Sequence, residues 1–404
     1  METLRLKNFG PLSDIDITLR KISVFIGEQG VGKSTLAKLL TCLRDLNLQQ
    51  SIIQGDIKLQ KALFREHDLN QMFTPDTEIE YYSDDINITI SYKDKAFCLT
   101  HPQLDTEQLK QLYWGLIGSS LAHVFRKLGI DINNCTHEEI EKYSRQHRRT
   151  LRSNMRLSFY CPADRGLVGT LSNSLATLLI NETPLPPTLV EYMSFFEKAR
   201  QSLSPYKIDF LNLKYTVKDN KESIEFDGKK FSLQQASSGI QSILPMMMVM
   251  DYCLKEKYFS SFTIEEPELN LFPSNQRELI RFILSRTYGL DSKVDTWAVT
   301  THSPYILSIL NVSLLAGMIL RRFPAAKEEV ENVMTPAFII APEDISVYAL
   351  NLPDKKSEAP QYLNLIDDKT GLISENYLDS VSDLIADEFK SLNKILLNQV
   401  QKNH

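Results

Sequence analysis

The chain has 404 residues and a formal net charge of −6, with 43% hydrophobic and 24% charged residues. This charge excludes a globally basic surface, so any contact with nucleic acid has to come from a local patch. The five cysteines form no CxxC pair, so we expect no zinc site or disulfide framework but a reduced, cytoplasmic setting. The N-terminus has no signal-peptide pattern, and the most apolar stretch, residues 243–249, is too short to span a bilayer, so we expect no membrane contact.

The first 40 residues predict a strand pair that leads into a buried strand and a helix. Residues 4–9 and 15–19 alternate apolar and polar side chains, which is typical of half-buried strands, and a Gly-Pro break separates them. The apolar run 22–26 predicts a buried strand, and residues 36–40 predict the helix. This order predicts an α/β fold.

A glycine-rich turn lies between that strand and that helix. Residues 27–35 read GEQGVGKST, which has the G-x-x-x-x-G-K-S spacing of a phosphate-binding loop. Such a loop surrounds a polyphosphate with backbone N–H groups at a helix N-terminus. We expect Lys33 to bind the β- and γ-phosphates of ATP and Ser34 to bind Mg²⁺. The nucleotide-binding residues predicted in this loop are Gly27, Gln29, Gly30, Gly32, Lys33, Ser34 and Thr35.

The middle of the chain gives helical patterns with a few short strands. Strands are predicted at 79–82, 86–90 and 157–160, and helices within 42–75, 106–128 and 188–202. A further helix follows a capping box at 136–139 and has a basic face formed by Arg145, Arg148, Arg149, Arg152 and Arg156. This face either contacts a DNA backbone or an acidic partner, or is a solvated surface, as charge runs usually are. Arg165, just after a strand, is a candidate phosphate or subunit-interface contact.

Three polar clusters follow in the second half of the chain. Residues 236–241, ASSGIQ, precede an apolar helix, so Ser237, Ser238, Gly239 and Gln241 are either anion-binding residues or a simple N-cap. Glu265 and Glu266 end one buried strand, and His302 ends another. Strand ends of an α/β sheet line the ligand crevice.

These strand-end residues predict catalytic roles. Glu265 would support Mg²⁺, Glu266 would polarise or deprotonate the attacking water, and His302 would bind that water or the γ-phosphate. Lys33, Glu266 and His302 are thus the predicted catalytic residues. The plain alternatives are an exposed acidic turn and a structural histidine.

In this order, the clusters resemble those of ABC-type ATPase heads in the branch of RecF, structural-maintenance-of-chromosomes and OLD-type proteins. The chain looks closest to OLD-like prokaryotic AAA-family ATPases, which share its strings IEEPE and THSP. The resemblance covers residues 1–40 and about 230–310. It implies that residues 27–35 are Walker A and 236–241 the signature that binds the γ-phosphate held by a partner subunit. It also implies that Glu265 and Glu266 are the Walker B residue and catalytic glutamate, and that His302 is the switch histidine.

The resemblance further implies a head-to-tail homodimer, or a higher even oligomer, that sandwiches two ATP molecules and opens after hydrolysis. Two residues depart from the family pattern: Glu265 replaces the usual Asp, and Ser238 stands where many members have Gly. The usual Q-loop glutamine is not identified. Residues 42–150 are too short for a long coiled-coil arm, and no acidic nuclease cluster follows the ATPase motifs.

We therefore expect an α/β, ABC-ATPase-type P-loop NTPase whose mixed sheet has an antiparallel N-terminal part and a parallel core. Residues 1–50 and 206–404 would form the head, and 51–205 an inserted, mainly helical lobe with a short strand pair.

The predicted function is ATP hydrolysis coupled to DNA or to a separate effector protein, with anti-phage defence as one setting. The alternatives are a slow nucleotide switch that holds or releases a partner nuclease or toxin, and a DNA repair or recombination ATPase. A GTPase is disfavoured because the guanine-reading Asn-Lys-x-Asp is absent.

Overall fold

The computed structural model describes residues 1–84, 87–113, 158–171, 185–219, 221–256, 259–289, 294–351, 361–374, 389, 390 and 392. The strands are β1 (Glu2–Phe9), β2 (Leu12–Leu19), β3 (Ile22–Gly27), β4 (Phe73–Ser83), β5 (Ile88–Lys93), β6 (Ala96–Thr100), β7 (Ser158–Cys161), β8 (Tyr206–Ile208), β9 (Leu213–Lys218), β10 (Lys221–Phe226), β11 (Lys229–Phe231), β12 (Ser261–Glu265), β13 (Thr296–Thr301), β14 (Ile345–Leu350) and β15 (Tyr362–Asn364). The helices are α1 (Lys33–Leu43), α2 (Leu46–Gln54), α3 (Ile57–Glu66), α4 (Leu167–Leu171), α5 (Pro187–Ser202), α6 (Ser238–Glu256), α7 (Pro273–Tyr288), α8 (Pro304–Arg322) and α9 (Lys327–Val333).

The central sheet brings the predicted motifs to one edge. Its order is β15-β14-β3-β13-β12-β7, and all neighbouring strands except the β14–β15 pair are parallel. In the register, Ile26 lies beside Thr301, and Thr300 beside Glu265. The carboxyl ends of β3, β12 and β13, with the loops that follow them, therefore lie side by side, as the crevice rule for parallel sheets requires.

A second sheet, of order β2-β1-β4-β5-β6, is antiparallel throughout and packs with α1 in its own hydrophobic cluster. A buried ion pair joins it to the end of α1. Arg44 Nε donates to Glu2 Oε2 over 3.0 Å, and only 3% of the Arg44 side chain is exposed. Burial opposes the charge of Arg44, but Glu2 and Tyr81 outweigh it and raise the pKa of Arg44. Because Glu2 balances the buried charge of Arg44, this ion pair holds β1 and the end of α1 together.

A third sheet, of order β11-β10-β9-β8, leads into the α6 segment. Helix α6 is buried along most of its length and belongs to the larger hydrophobic cluster, together with the apolar residues of β12 and β13. Among the described helices, α8 alone is long and apolar enough to cross a membrane by length and composition. The core helix of a soluble protein passes the same test, and α8 buries one face against its neighbours.

The predicted fold class is confirmed: the structure is mixed α/β with a parallel core and an antiparallel N-terminal part. The antiparallel part is a separate sheet, which the sequence did not indicate. The division into a head at 1–50 and 206–404 and a lobe at 51–205 stays a prediction. Across the predicted boundary, β4 pairs with β1, and β7 pairs with β12. The predicted C-terminal helix lies almost entirely outside the described residues.

Candidate nucleotide-binding site

The phosphate loop has a backbone that only glycine accommodates at two positions. Gly32, the residue before α1, has φ +100°, and a Cβ there would lie 2.6 Å from Leu12 Cδ2. Gly27 has φ +154°, and a Cβ there would collide with the Leu350 carbonyl oxygen. The loop is therefore confined between the N-terminal sheet and the end of β14. Gln29, Gly30 and Ser34 are exposed on it, and Thr35 is half-buried.

Lys33 is the buried cation of the loop. Its Nζ donates to the carbonyl oxygens of Gly27, at 2.8 Å, and Glu28, at 2.6 Å. Burial lowers the pKa of Lys33, while the negative charges of Glu266, Glu268 and Glu265 partly restore it. Its ammonium group thus lies within the electrostatic reach of all three carboxylates. It is held by uncharged carbonyl groups, which a phosphate oxygen could replace.

Glu265 has the surroundings of a metal-supporting carboxylate. It ends β12, is 5% exposed, and its Oε2 lies 3.4 Å from the Ala163 N–H. Its other oxygen, Oε1, is buried and accepts no hydrogen bond of ordinary geometry from the described residues, although the Tyr160 hydroxyl, whose pKa is raised most by burial and further by the Glu265 carboxylate, lies nearby. A buried carboxylate oxygen without a donor is costly unless a cation or water fills the space.

The residues present fit Mg²⁺, which binds through one or two carboxylates plus substrate phosphates. The free Oε1 of Glu265 and the exposed hydroxyl of Ser34 are the predicted protein donors. Within the described ranges, no group of three or more His, Cys, Asp or Glu could hold a metal without further ligands. That agrees with a metal that depends on substrate phosphates for most of its coordination.

Glu266 and His302 form a pair at the crevice. Glu266 Oε1 and His302 Nε2 are 3.3 Å apart, and each side chain is about one-third exposed. Glu266 has φ +42°, a left-handed conformation that is strained for a non-glycine residue, and its N–H donates to the Thr300 carbonyl. The strained backbone turns Glu266 off the end of β12. Strain of this kind persists where surrounding contacts hold it.

Glu268, in the turn that follows β12, forms hydrogen bonds with the turn that follows β13 and contains His302. Its Oε1 accepts hydrogen bonds from the His302 N–H, at 2.8 Å, and from the Thr301 hydroxyl, at 2.6 Å. Its Oε2 is buried and accepts no hydrogen bond from the described residues. The sequence prediction omitted Glu268 from the site, although it stands in the same Glu-Glu-Pro-Glu string.

Arg165 is buried in the structure, which differs from the sequence prediction for this residue. It was a candidate phosphate or interface contact, but its residue exposure is 0%. Its Nη1 donates to the Glu265 carbonyl and its Nη2 to the Glu266 carbonyl, each at 2.6 Å, with a further bond from Nη1 to the Pro162 carbonyl. A guanidinium committed to carbonyl groups in this way cannot reach a subunit interface. Its place after β7 makes it a brace for the backbone of the two glutamates.

The predicted signature segment is held by its own glutamine. The Gln241 Nε2 donates to the carbonyls of Leu233, Gln234 and Ala236, so this part of its side chain serves the loop and not a nucleotide. Ser237 and Ser238 are exposed at the start of α6. A Cβ on Gly239 would lie 2.8 Å from the Asn270 carbonyl oxygen, so the segment packs on the loop after β12.

The structure thus brings Lys33, Glu265, Glu266 and His302 to one edge of the central sheet. It does not bring Arg165 to a surface, and the basic face from Arg145 to Arg156 lies outside the described residues. The buried donors and acceptors that support the site were not predicted, because a single sequence does not show which polar side chain folds back on a distant backbone. A weak signal for Glu268 was its spacing, three residues after Glu265.

Comparison with known proteins identifies the family. The AAA ATPase domain matches residues 1–160 and 176–307 of the chain. No curated protein matches it. Among solved structures, the chain is similar to an SMC head domain from Thermotoga maritima, with 12% identity, 76% of this chain and 90% of that chain covered, and a TM-score of 0.37. An SMC head domain with an extended coiled coil bound to the C-terminal domain of ScpA, from Pyrococcus furiosus, has 11% identity, 95% and 100% coverage, and a TM-score of 0.42.

The Glu268 contacts generate a prediction. Glu268→Ala leaves the His302 N–H and the Thr301 hydroxyl without their acceptor, and we expect it to lower kcat for ATP hydrolysis about tenfold or more. Glu268→Gln keeps an acceptor oxygen and should stay within about threefold of the wild type. Steady-state ATPase assays at matched thermal stability measure both. A Gln variant as damaged as the Ala variant would show that the charge of Glu268, and not its acceptor geometry, is what matters.

Proposed function

Because the chain belongs to the AAA ATPase domain family, we propose that it binds ATP with Mg²⁺ at the phosphate loop and hydrolyses it with Glu266 as general base. The observation that carries this proposal is the environment of Lys33. A buried ammonium group, bound only to loop carbonyls, lies under the influence of three carboxylates beside the Glu266–His302 pair. This arrangement supports phosphate binding next to a base.

The binding roles follow from the donors that each residue offers. Lys33 would exchange the Gly27 and Glu28 carbonyls for β- and γ-phosphate oxygens, a charge-assisted replacement of two neutral hydrogen bonds. Ser34 and Glu265 would hold Mg²⁺, which when bound neutralises charge on the phosphates. The N–H groups of the loop and of the first turn of α1 would bind the remaining phosphate oxygens.

The hydrolytic roles follow from the pair at the crevice. Glu266 would accept a proton from the water that attacks the γ-phosphorus, while the bond from that phosphorus to the bridging oxygen breaks and ADP leaves. His302 would hold Glu266 in position and donate to the phosphate or the water. Arg165 fixes both carbonyls of the glutamate turn, and Glu268 fixes the N–H of His302, so the pair is set by backbone contacts.

We propose that a second copy of the chain completes each site. Ser237 and Ser238 are exposed at the N-terminus of α6, where hydroxyl and N–H donors can bind an anion. The hydrogen bonds of Gln241 shape this segment from behind. The Ser237 oxygen accepts a long hydrogen bond, of 3.5 Å, from the Ile240 N–H, so its hydroxyl proton and the Ser238 hydroxyl are the groups left to face a partner. Two ATP molecules between the phosphate loop of one copy and the serines of the other would give a closed, two-fold dimer.

Glu266→Gln separates hydrolysis from assembly. The amide cannot take a proton, so we expect hydrolysis to fall a hundredfold or more, on the order of a general-base contribution. ATP should then hold the variant in an assembly of twice the mass of the monomer. Light scattering with ATP, alongside an ATPase assay, measures both quantities.

The matched control for this variant is Glu225→Gln, an exposed change on β10. It should hydrolyse ATP like the wild type. Normal turnover by Glu266→Gln, with a mass that does not respond to ATP, would contradict both the general base and the nucleotide-held dimer.

We further propose that the ATPase cycle acts on DNA, with a separately encoded nuclease or toxin partner as the alternative. The spacing of the arginines from Arg145 to Arg156 would place them on one face of the helix that the sequence predicts there, which supports contact with a phosphate backbone. The slow-switch alternative and a role in defence against phage stay predictions of the same kind. Nucleotide-dependent co-purification with the product of a neighbouring gene would favour the effector partner.

The DNA contact has its own test. The double variant Arg148→Glu/Arg149→Glu should abolish salt-sensitive binding of duplex DNA, measured by fluorescence anisotropy at several salt concentrations. The control Lys229→Glu/Lys230→Glu makes the same charge change at two exposed lysines of β11. If the arginine variant binds duplex DNA as tightly as the wild type or the lysine control, these arginines are not the DNA-binding patch.

A further inference from the structure

A cavity lined by residues between 52 and 97, outside the nucleotide motifs, combines aromatic rings with cationic side chains. It has a volume of about 450 Å³ and lies between α3 and the β5–β6 hairpin. None of its lining residues belongs to the phosphate loop, the signature segment or the strand ends described above. Cavities of this volume are large enough for a small organic ligand.

The floor of the cavity is a packed aromatic cluster formed by Phe64, Phe73, Tyr92 and Phe97. Phe64 and Phe97 stack with centroids 5.3 Å apart and planes 11° from parallel, and Tyr92 lies 4.6 Å from Phe97. Phe73 and Phe97 are only partly buried. The partly exposed surfaces of Phe73 and Phe97 give the cavity an aromatic wall against which a planar ring system can pack.

The rim of the cavity is cationic. Lys61, Arg65 and Lys95 line it and are exposed, and no Asp or Glu lines it, although the chain has an excess of acidic residues. Within the described part of the chain, none of the three cations forms an ion pair. Three positive side chains around a cavity without an acidic lining residue give it a positive potential, which attracts an anion.

Between floor and rim lie groups that can bind the edge of a polar ring. Asn70 and Gln60 line the cavity, together with Tyr92. Gln60 Nε2 donates to the Ser51 carbonyl, which leaves its oxygen as an acceptor, and Asn70 offers a whole amide. The carboxylate of a fatty acid would pair with the cations, but its chain offers the amides no hydrogen-bond partner. A planar ring with polar edges and a phosphate would pack on the aromatic rings, form hydrogen bonds with the amides and pair with the cations.

We propose that this cavity binds a nucleobase with its attached phosphate, at a site distinct from the ATP site. The base stacks on the Phe97 side of the aromatic floor, Asn70 and Gln60 bind its edge, and Lys61, Arg65 and Lys95 bind the phosphate. The ligand is either a free mononucleotide or a nucleotide within a single strand. The two sources share this chemistry and differ in what continues beyond the phosphate.

The test uses two probes on the full chain: radiolabelled AMP and a fluorescent single-stranded oligothymidylate. AMP lacks the phosphates that Lys33 would bind, and Lys33→Ala disables the phosphate loop, so AMP binding that survives in this variant belongs to the cavity. We expect Lys61→Glu/Arg65→Glu to weaken binding about tenfold or more. The slope of log K against log salt for the oligonucleotide should also fall by the amount that about two lost phosphate contacts contribute. Phe97→Leu, which keeps apolar volume but removes the ring, should also weaken binding severalfold.

The control variant is Lys58→Glu, an exposed lysine on the same helix that does not line the cavity. It should bind both probes like the wild type. Binding of AMP identifies a free nucleotide as sufficient, and binding of the oligonucleotide alone identifies a strand. Four results would overturn the proposal: no binding of either probe, loss of AMP binding in Lys33→Ala, a loss in Lys58→Glu equal to that in the double variant, or binding of oleate in place of both probes. None of these results depends on ATP hydrolysis.

Discussion

A buried positive charge governs the arrangement of the site. Lys33 is almost fully removed from water, and among the described residues its hydrogen-bond acceptors are two carbonyl oxygens of its own loop. Burial lowers its pKa, and three glutamates oppose that change. In the proposed function, the phosphates of ATP supply the counter-charge that the loop alone does not. The glutamates must then lie close enough to act on the same ligand, which requires the ends of β3, β12 and β13 to be neighbours.

The site depends on contacts to backbone more than on contacts between side chains. Arg165, after β7, binds the carbonyls that follow β12, and Glu268, after β12, binds the N–H that follows β13. The Arg165 contacts thus join the ends of β7 and β12, and the Glu268 contact joins the ends of β12 and β13. The strained backbone of Glu266 is held by these contacts and by its own N–H bond to Thr300. A change at one strand end would therefore shift the others, which is a suitable basis for coupling nucleotide state to assembly.

The sequence predicted the parts of this arrangement that have a local signature. The glycine loop has fixed spacing, and the strands before Glu265 and His302 are short apolar runs that end abruptly in polar residues. Parallel packing then brings those ends together, so Lys33, Glu265, Glu266 and His302 could be grouped without coordinates. Arg165 was placed near the site but given the wrong role, because its burial depends on β7 pairing with β12, about 100 residues later. The pairing of β4 with β1, and the fold-back of Gln241, were missed for the same reason: each depends on a partner that periodicity does not reveal.

The central claim is that the site is shared between two copies, and mixing two inactive variants tests it most directly. Lys33→Ala damages the phosphate loop, and Ser238→Arg damages the exposed signature segment. In a mixed dimer, one site would combine the intact loop of one chain with the intact serine of the other. If each site is built from both copies, each variant alone is inactive, and an equal mixture recovers about a quarter of wild-type ATP hydrolysis, since about half of the dimers would be mixed, with one working site each. A mixture that stays inactive, or a Ser238→Arg variant that hydrolyses ATP normally by itself, would contradict it.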